Sequence, residues 1–488
     1  MTDDDIGAEP CRRALEVARA AGASYADARL VDLESEHLAV RDGEVQGVGQ
    51  TSSLGLGVRV LRDGCWGFAA TGDLGPRAVE DAARLAVEVA AAGRATRRAP
   101  VRLAPVEPVE ASWATPVAED PFAVALDDKL ALLVAASRAM LEVDGVSPAE
   151  ARQHAWRRRS RIVSSEGTDV AQTIVQCGAG IAATAVGEAE TQVRSYPNSF
   201  GGDFGSEGYE LVRRLDLVGH APRVAEEAVE LLSAPACPAA TTTLVLDGSQ
   251  VALQVHESIG HPVELDRVLG MEAAYAGTSF LTPGDTGRLR YGSPRLSVLA
   301  DATTPGALGT FGYDDEGVPA TSTPIVTEGV FQGFLSSRET AAEVGLARSG
   351  ATVRAQSWAH LPLIRMTNVS LEAGTAGSLD ELLDGIDRGL YLETNRSWSI
   401  DDRRVDFQFG TEWGREIRHG RLGRVVRNGT YGGRTLPFWA SLDAVGGPAL
   451  WKAWGLPNCG KGQPGQVGYV AHGAAPARFL DVAVGSTR

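Results

Sequence analysis

The spacing of apolar positions changes repeatedly along the chain, and the changes mark its elements. Over Glu9–Ala21, Leu15, Val17 and Ala18 share one face and Gly22 ends the run, which predicts a helix. Short strand-like runs follow at Ala26–Val31, His37–Arg41, Glu44–Gly47, Leu54–Leu61 and Trp66–Thr71. Arg41-Asp42-Gly43 and Arg62-Asp63-Gly64 separate them as turns, so an antiparallel meander is expected. Helical spacing returns over Pro76–Ala92 and Lys129–Val143. A second meander is expected over Ala155–Tyr196, then a helix over Glu207–Leu232. Val40–Gln46 is loosely echoed by Ser164–Val170, as an internal duplication of one plan would produce.

Ser233–Ala240, with Pro235 and Pro238, breaks the helical pattern and divides the chain into an N-terminal domain (1–235) and a C-terminal domain (236–488). Beyond the break the sequence is glycine-rich and strand-like, with helices expected only around Ser249–Gly260 and Leu379–Arg388. Strands and helices do not alternate as βαβα units, so an α+β architecture is expected and a doubly wound sheet is not. Glycine numbers 57 of 488 residues, or about 12% against a usual ~7%, which fits many tight turns between short strands.

Charge and cysteine content then narrow the function. The formal net charge is −16, unsuited to a nucleic-acid binder, whose affinity comes from neutralising phosphates. No apolar run approaches the ~18 residues of a membrane span. The five cysteines are scattered and odd in number, and the first residues are acidic, so a cytoplasmic protein without a disulfide framework is expected.

The segment Val251–Asp266, VALQVHESIGHPVELD, carries the candidate chemistry. Val251, Val255 and Ile259 recur every four residues as a buried helical stripe, and His256, Glu257 and His261 form H-E-x-x-x-H beside it. Hydrolytic zinc sites combine imidazole ligands with a carboxylate that deprotonates bound water, and a glutamate directly after the first histidine is the zincin arrangement. There the second histidine follows at four residues, one helical turn on. Here that position is Gly260, and His261 comes at five. On a straight α-helix the two rings would diverge by about 140°. Gly260 and Pro262 bracket His261, so a distorted or terminating helix is expected at Gly260.

A catalytic zinc takes three protein ligands, so a third must come from elsewhere. Cys459, in the polar loop Pro457-Asn458-Cys459-Gly460-Lys461-Gly462-Gln463-Pro464, is one candidate, with Lys461 placed to favour its thiolate. Glu264, His360 and His472 are the others.

These segments resemble the TldD/PmbA family of metallopeptidases. The resemblance rests on His256–His261, on the acidic turn Tyr313–Gly317 and the hairpin Ile325–Leu335, and on Val353–Ser357 and Arg365–Asn368. It rests also on the loop Cys459–Gln463 and on Asn198–Gly202. It spans nearly the whole chain and is strongest over 241–463. It implies zinc held by His256, His261 and Cys459, with Glu257 as general base, in a peptidase of the catalytic type. It further implies an enclosed chamber, formed by a homodimer or by a heterodimer with a family paralogue, that admits small or unfolded peptides. Ser397–Arg404 departs from the family's glycine pair, and the Cys459 loop lacks one intervening residue, which marks a divergent branch. A zinc hydrolase of a peptide-like metabolite, and a docking subunit for a non-catalytic homologue, are the alternative readings.

Other features receive plainer readings. Trp156–Arg161 is expected to be a solvated strand edge blunted by arginines. Asp314, Asp315 and Glu316 are expected to form an Asx-rich turn in preference to a second metal site. Arg354 and Arg365 are considered both as grips for a substrate carboxylate and as structural ion-pair partners.

Overall fold

In a computed structural model the chain is α+β, and residues 6–486 apart from residue 189 are described. An eight-stranded sheet occupies the first half. Its path runs Cys65–Thr71, Glu44–Arg62, Tyr25–Arg41, Val146–Ser164, Asp169–Val186 and Glu110–Ala114. Every pairing is antiparallel except that of Glu110–Ala114, which lies parallel to Asp169–Val186. Helices Glu9–Ala20 and Pro76–Gly93 cover one end of the sheet, and Leu126–Leu141 and Leu217–Ser233 cover the other.

The strands expected separately at 26–31 and 37–41 form one strand of 17 residues, and those at 44–47 and 54–61 form one of 19. Their polar middles, Asp32–Glu36 and Val48–Ser53, interrupt the apolar alternation without ending the pairing, because backbone hydrogen bonds between neighbouring strands do not depend on side-chain polarity. The helix expected over 207–232 is instead two helices, Glu210–Arg214 and Leu217–Ser233. Asp216 parts them with φ 45° and accepts the Gly219 N–H at 3.2 Å as an N-cap.

The basic run is no edge. Val146–Ser164 pairs on both sides, with Tyr25–Arg41 and with Asp169–Val186. Arg157 pairs with Glu34 and Asp120, Arg158 with Asp315, and Arg159 with Asp32. Neutralisation by facing carboxylates lets guanidinium groups occupy an interior strand.

In the second half, strand pairings close on themselves. Arg388–Ile400 pairs with Ala240–Leu246, then come Ala477–Ser486, Gly429–Arg434 and Asp406–Arg418, which returns to Arg388–Ile400. The largest apolar core lies here, with Leu244, Leu246, Leu392, Phe409, Tyr431, Trp439 and Phe479 nearly inaccessible. Helix Gly248–Val255 follows Ala240–Leu246 directly, and all eight of its residues are buried. The expected one-sided stripe is therefore buried on every side. Gln250, Gln254 and Ser258 are accommodated by hydrogen bonds to Tyr431 and Trp439.

The two halves meet through the acidic turn. Asp314 Oδ1 accepts the Glu316 and Val318 N–H groups, as the Asx-turn reading expects. Asp315 pairs with Arg29 at 3.0 Å and with Arg158 at 3.1 Å, and Glu316 pairs with Arg59 at 3.2 Å. Burial opposes the Asp315 charge, but Arg158 and Arg29 outweigh it and hold the carboxyl below its ordinary range.

Candidate metal centre

Asp247 starts the buried helix by accepting the Ser249 and Gln250 N–H groups. After Val255 the helix widens into a π turn, His256–Gly260, closed by the His261 N–H on the His256 carbonyl. Pro262, without an N–H, cannot continue the ladder, and His261–Val263 tightens into a 3-10 turn. An i→i+5 bond returns a residue five positions on to the same face. The five-residue spacing of H-E-x-x-x-H thus fits a π turn as a four-residue spacing fits an α-helix, and the rings lie 4.7 Å apart, centroid to centroid. The expected distortion is present, as a widening of the helix.

Gly260 is required by a close approach: a Cβ there would lie 2.1 Å from the Met366 Sδ. Gly260→Ala is expected to displace either Met366 or the π turn, costing about 1–3 kcal/mol by overpacking and reducing metal retention. Chemical denaturation beside metal analysis checks both, and unchanged stability with unchanged retention would contradict the packing argument.

The tautomers follow from the hydrogen bonds. His472 Nδ1 lies 2.7 Å from the Val369 carbonyl, which can only accept, so Nδ1 carries the proton and Nε2 the lone pair. His472 Nε2 lies 2.7 Å from His256 Nδ1, which must therefore donate. Burial pushes both rings down from the ordinary histidine value, His472 the further because His256 faces it, and keeps them neutral. His256 Nε2 is left with its lone pair free. His261 Nδ1 lies 2.9 Å from Glu264 Oε2 and donates to it, which frees His261 Nε2 as well. Metal-binding histidines are oriented in this way by carbonyl or carboxylate partners.

Cys459 arrives on the hairpin Lys452–Lys461/Gln466–Ala474, its Sγ 3.9 Å from His261 Nε2. Burial works against a thiolate here, but the Arg365 guanidinium and His261 outweigh it, leaving the thiol below its ordinary value. Arg365 also donates to the Cys459 and Gln466 carbonyls. Lys461, expected to favour the thiolate, is committed elsewhere. It is fully buried among Glu264, Asp266 and Glu272, at 3.1, 2.8 and 3.3 Å. There it holds Glu264 ionised against burial, and Glu264 in turn fixes His261.

The ligand atoms of His256, His261 and Cys459 all lie within 4.8 Å of one another. Donors on a tetrahedral zinc stand roughly 3.3–3.6 Å apart, so a small contraction seats an ion, and two neutral imidazoles with an acidified thiol suit zinc. Glu264 and His472 therefore brace the histidines from behind, and His360 is bonded to Ser357 outside the group. Glu257 is buried beside His256 and pairs with Arg404. Arg354 and Arg365 bind backbone carbonyls, those of Tyr469 and Met366 in the case of Arg354, and neither lines the metal cleft.

The cleft has a cavity of about 350 Å³ bounded by Phe200, Leu253, Trp398, Ile400, Arg404 and Leu456. Phe200, Trp398 and Asn458 also wall a groove of about 780 Å³, floored by Trp156, Phe204 and Tyr469, that reaches into the first half. Sequence reasoning missed Arg404 as a neighbour of Glu257 and Arg365 as the cation facing the thiol. Neither carries a local signal, since the partners lie 147 and 94 residues away.

A histidine pair, a glutamate and a thiol converging in a cleft define a metallopeptidase-like site, and comparison with known proteins supports that class. Models of the PmbA/TldA metallopeptidase domain 1, central domain and C-terminal domain match residues 26–90, 119–234 and 239–485. A metalloprotease of Synechocystis is 31% identical over 95% of each chain, and one of Methanothermobacter thermautotrophicus 29% over 95% of this chain and 96% of that one. A zinc metalloprotease TldD homologue of Saccharolobus solfataricus is 27% identical over 50% of this chain and 51% of its own. TldE of Thermococcus kodakarensis shares the fold, with TM-score 0.74 and 15% identity over 97% of this chain and 99% of that one. The chain belongs to the PmbA/TldD family of metallopeptidases. No helix among the described residues is long and apolar enough to cross a membrane.

Proposed function

We propose that the chain is a zinc-dependent peptidase of small or unfolded peptides, its metal held by His256, His261 and Cys459. The observation that carries this reading is the convergence of two imidazole lone pairs and an acidified thiol beside Glu257. Zinc supplies a Lewis acid that polarises the scissile carbonyl and acidifies a water. Glu257 takes the water's proton and returns it to the leaving amine. His472 and Glu264 hold the imidazoles in the ligating tautomer. Phe200 and Trp398 line the cleft with apolar surface.

Pairing with a second copy, or with a family paralogue of the TldE kind, encloses the cleft so that folded proteins are kept out. The relationship to a TldE fold supports that arrangement. All five cysteines are free and buried, which suits the reducing cytoplasm.

Chelation followed by metal add-back against a library of unfolded peptides tests the reading. Hydrolysis is expected to disappear with the metal and to return with zinc at about one ion per chain. Hydrolysis that survives complete removal of the metal, or a zinc-loaded protein that cleaves no peptide, would overturn it.

A further inference from the structure

Arg404 stands out in the metal cleft because it is built in and none of the roles assigned so far uses it. It is the only lysine or arginine among the described residues that line the cleft, and its guanidinium meets Glu257 Oε2 through one nitrogen, Nη1. Its Nε–H is buried without a partner. Its side chain is 14% exposed and lines the cavity.

The backbone that presents it is tightly held. Asp401 Oδ1 accepts the Asp406 N–H at 2.7 Å and also that of Val405, and Asp401 Oδ2 accepts the Arg403 N–H at 3.0 Å. The Thr435 hydroxyl donates to the Arg404 carbonyl at 2.6 Å. From the facing segment, Thr278 and Phe280 donate their N–H groups to the Asp402 and Arg403 carbonyls, each at 3.1 Å. Gly277 permits that approach, since a Cβ there would lie 2.5 Å from Asp402. Within this frame Arg404 itself takes a left-handed backbone, φ 64°, which a residue with a side chain adopts at a cost of order 1 kcal/mol and keeps when its surroundings impose it. A loop that merely closed a hairpin would not need an arginine at that position.

We propose that Arg404 is a specificity-determining residue that binds the C-terminal carboxylate of the peptide, so that the enzyme removes residues from the free C-terminus. This rests on the peptidase reading above. Glu257 shows the guanidinium's preference directly, because a carboxylate already occupies one of its faces. The second Nη remains for another carboxylate, and a small turn of the side chain would bring the unpartnered Nε–H beside it, giving the two-pronged binding that guanidinium favours. The placement fixes which end is read. Arg404 lines the metal cleft but not the larger groove floored by Trp156, Phe204 and Tyr469. A peptide laid along the groove and entering the metal cleft thus brings its end to Arg404, where a cation attracts a carboxylate and repels an amine. Glu257 keeps its other oxygen for the water.

The test uses N-acetylated peptides of one sequence ending either in a free carboxylate or in a carboxamide, with the zinc-loaded protein. Wild type is expected to prefer the free acid by about tenfold or more in kcat/KM, mainly through KM, as a charge-assisted pair would give. Arg404→Gln is expected to bring the two peptides within about twofold, while Arg404→Lys keeps part of the preference. Equal cleavage of both peptides by wild type, or a preference that persists in Arg404→Gln, would overturn the proposal while leaving the peptidase reading intact. Calorimetric binding separates the two claims from the other side. With Glu257→Gln the acid is expected to bind about tenfold tighter than the amide, and Glu257→Gln/Arg404→Gln to lose that difference. Tighter acid binding without any hydrolysis would sustain the carboxylate site and remove the peptidase reading. Equal binding of both peptides would remove the site.

Discussion

Cys459→Ala is expected to leave the purified protein with almost no zinc. The two histidines bracket one π turn, but the Cys459 thiol is delivered from a hairpin 198 residues further along the chain, and among the described residues no other histidine, cysteine or carboxylate joins the group. Glu264 and His472 are already committed, each hydrogen-bonded to the Nδ1 of one of the imidazoles. The affinity loss should exceed the ~10–100-fold typical of losing an outer hydrogen-bond partner, because a donor bond itself disappears. The thiol is a small group in the core, so its removal costs the metal-free fold only about 1–2 kcal/mol. Metal content measured beside the melting of metal-free wild type and variant separates the two effects. Undiminished zinc in a folded Cys459→Ala protein would sink the ligand assignment.

Glu257→Gln should do the opposite: zinc retained, hydrolysis reduced by about 10²–10⁴-fold. The amide keeps the shape and can still accept from Arg404, so the cleft should stay formed, but it cannot take a proton from water. The loss should fall on kcat with KM little changed, since the missing step belongs to the chemistry. Steady-state kinetics with parallel metal analysis reads this, and near wild-type turnover would dismiss Glu257 as the base.

Much of this site was legible in the sequence, and the reasons differ from residue to residue. His256, Glu257 and His261 fall within six positions, so local spacing exposed both their chemistry and the misfit with an α-helix. The π turn that resolves the misfit packs Gly260 closely against Met366, a contact between distant segments that no periodicity records. Cys459 stands out by its polar loop, yet the spacing points Lys461 at the thiol, whereas in the fold it meets carboxylates. A lysine two residues away on a regular strand leaves from the same face, but Glu264, Asp266 and Glu272 from a distant segment surround the buried ammonium and pair with it. In the fold, alternation identifies the strands but divides two long ones where their middles turn polar. The arginine run reads as an edge but lies in an interior strand, because its counter-charges, Glu34, Asp32, Asp120 and Asp315, come from elsewhere in the chain.

The acidic turn between the halves makes them hard to inherit separately. Asp315 holds Arg29 and Arg158 of the first half, while Asp314 accepts the Val353 N–H and Asp315 that of Ala355. That strand pairs with Leu363–Ile364, immediately before Arg365, the cation that sets the Cys459 thiol. The seat of the first sheet and the acidity of the Cys459 thiol thus share one short run of backbone. A chimaera that takes its first half from a relative would carry over a mismatch in metal chemistry unless Arg29, Arg59 and Arg158 came with matching partners. In evolutionary terms the turn ties two modules into a single heritable unit.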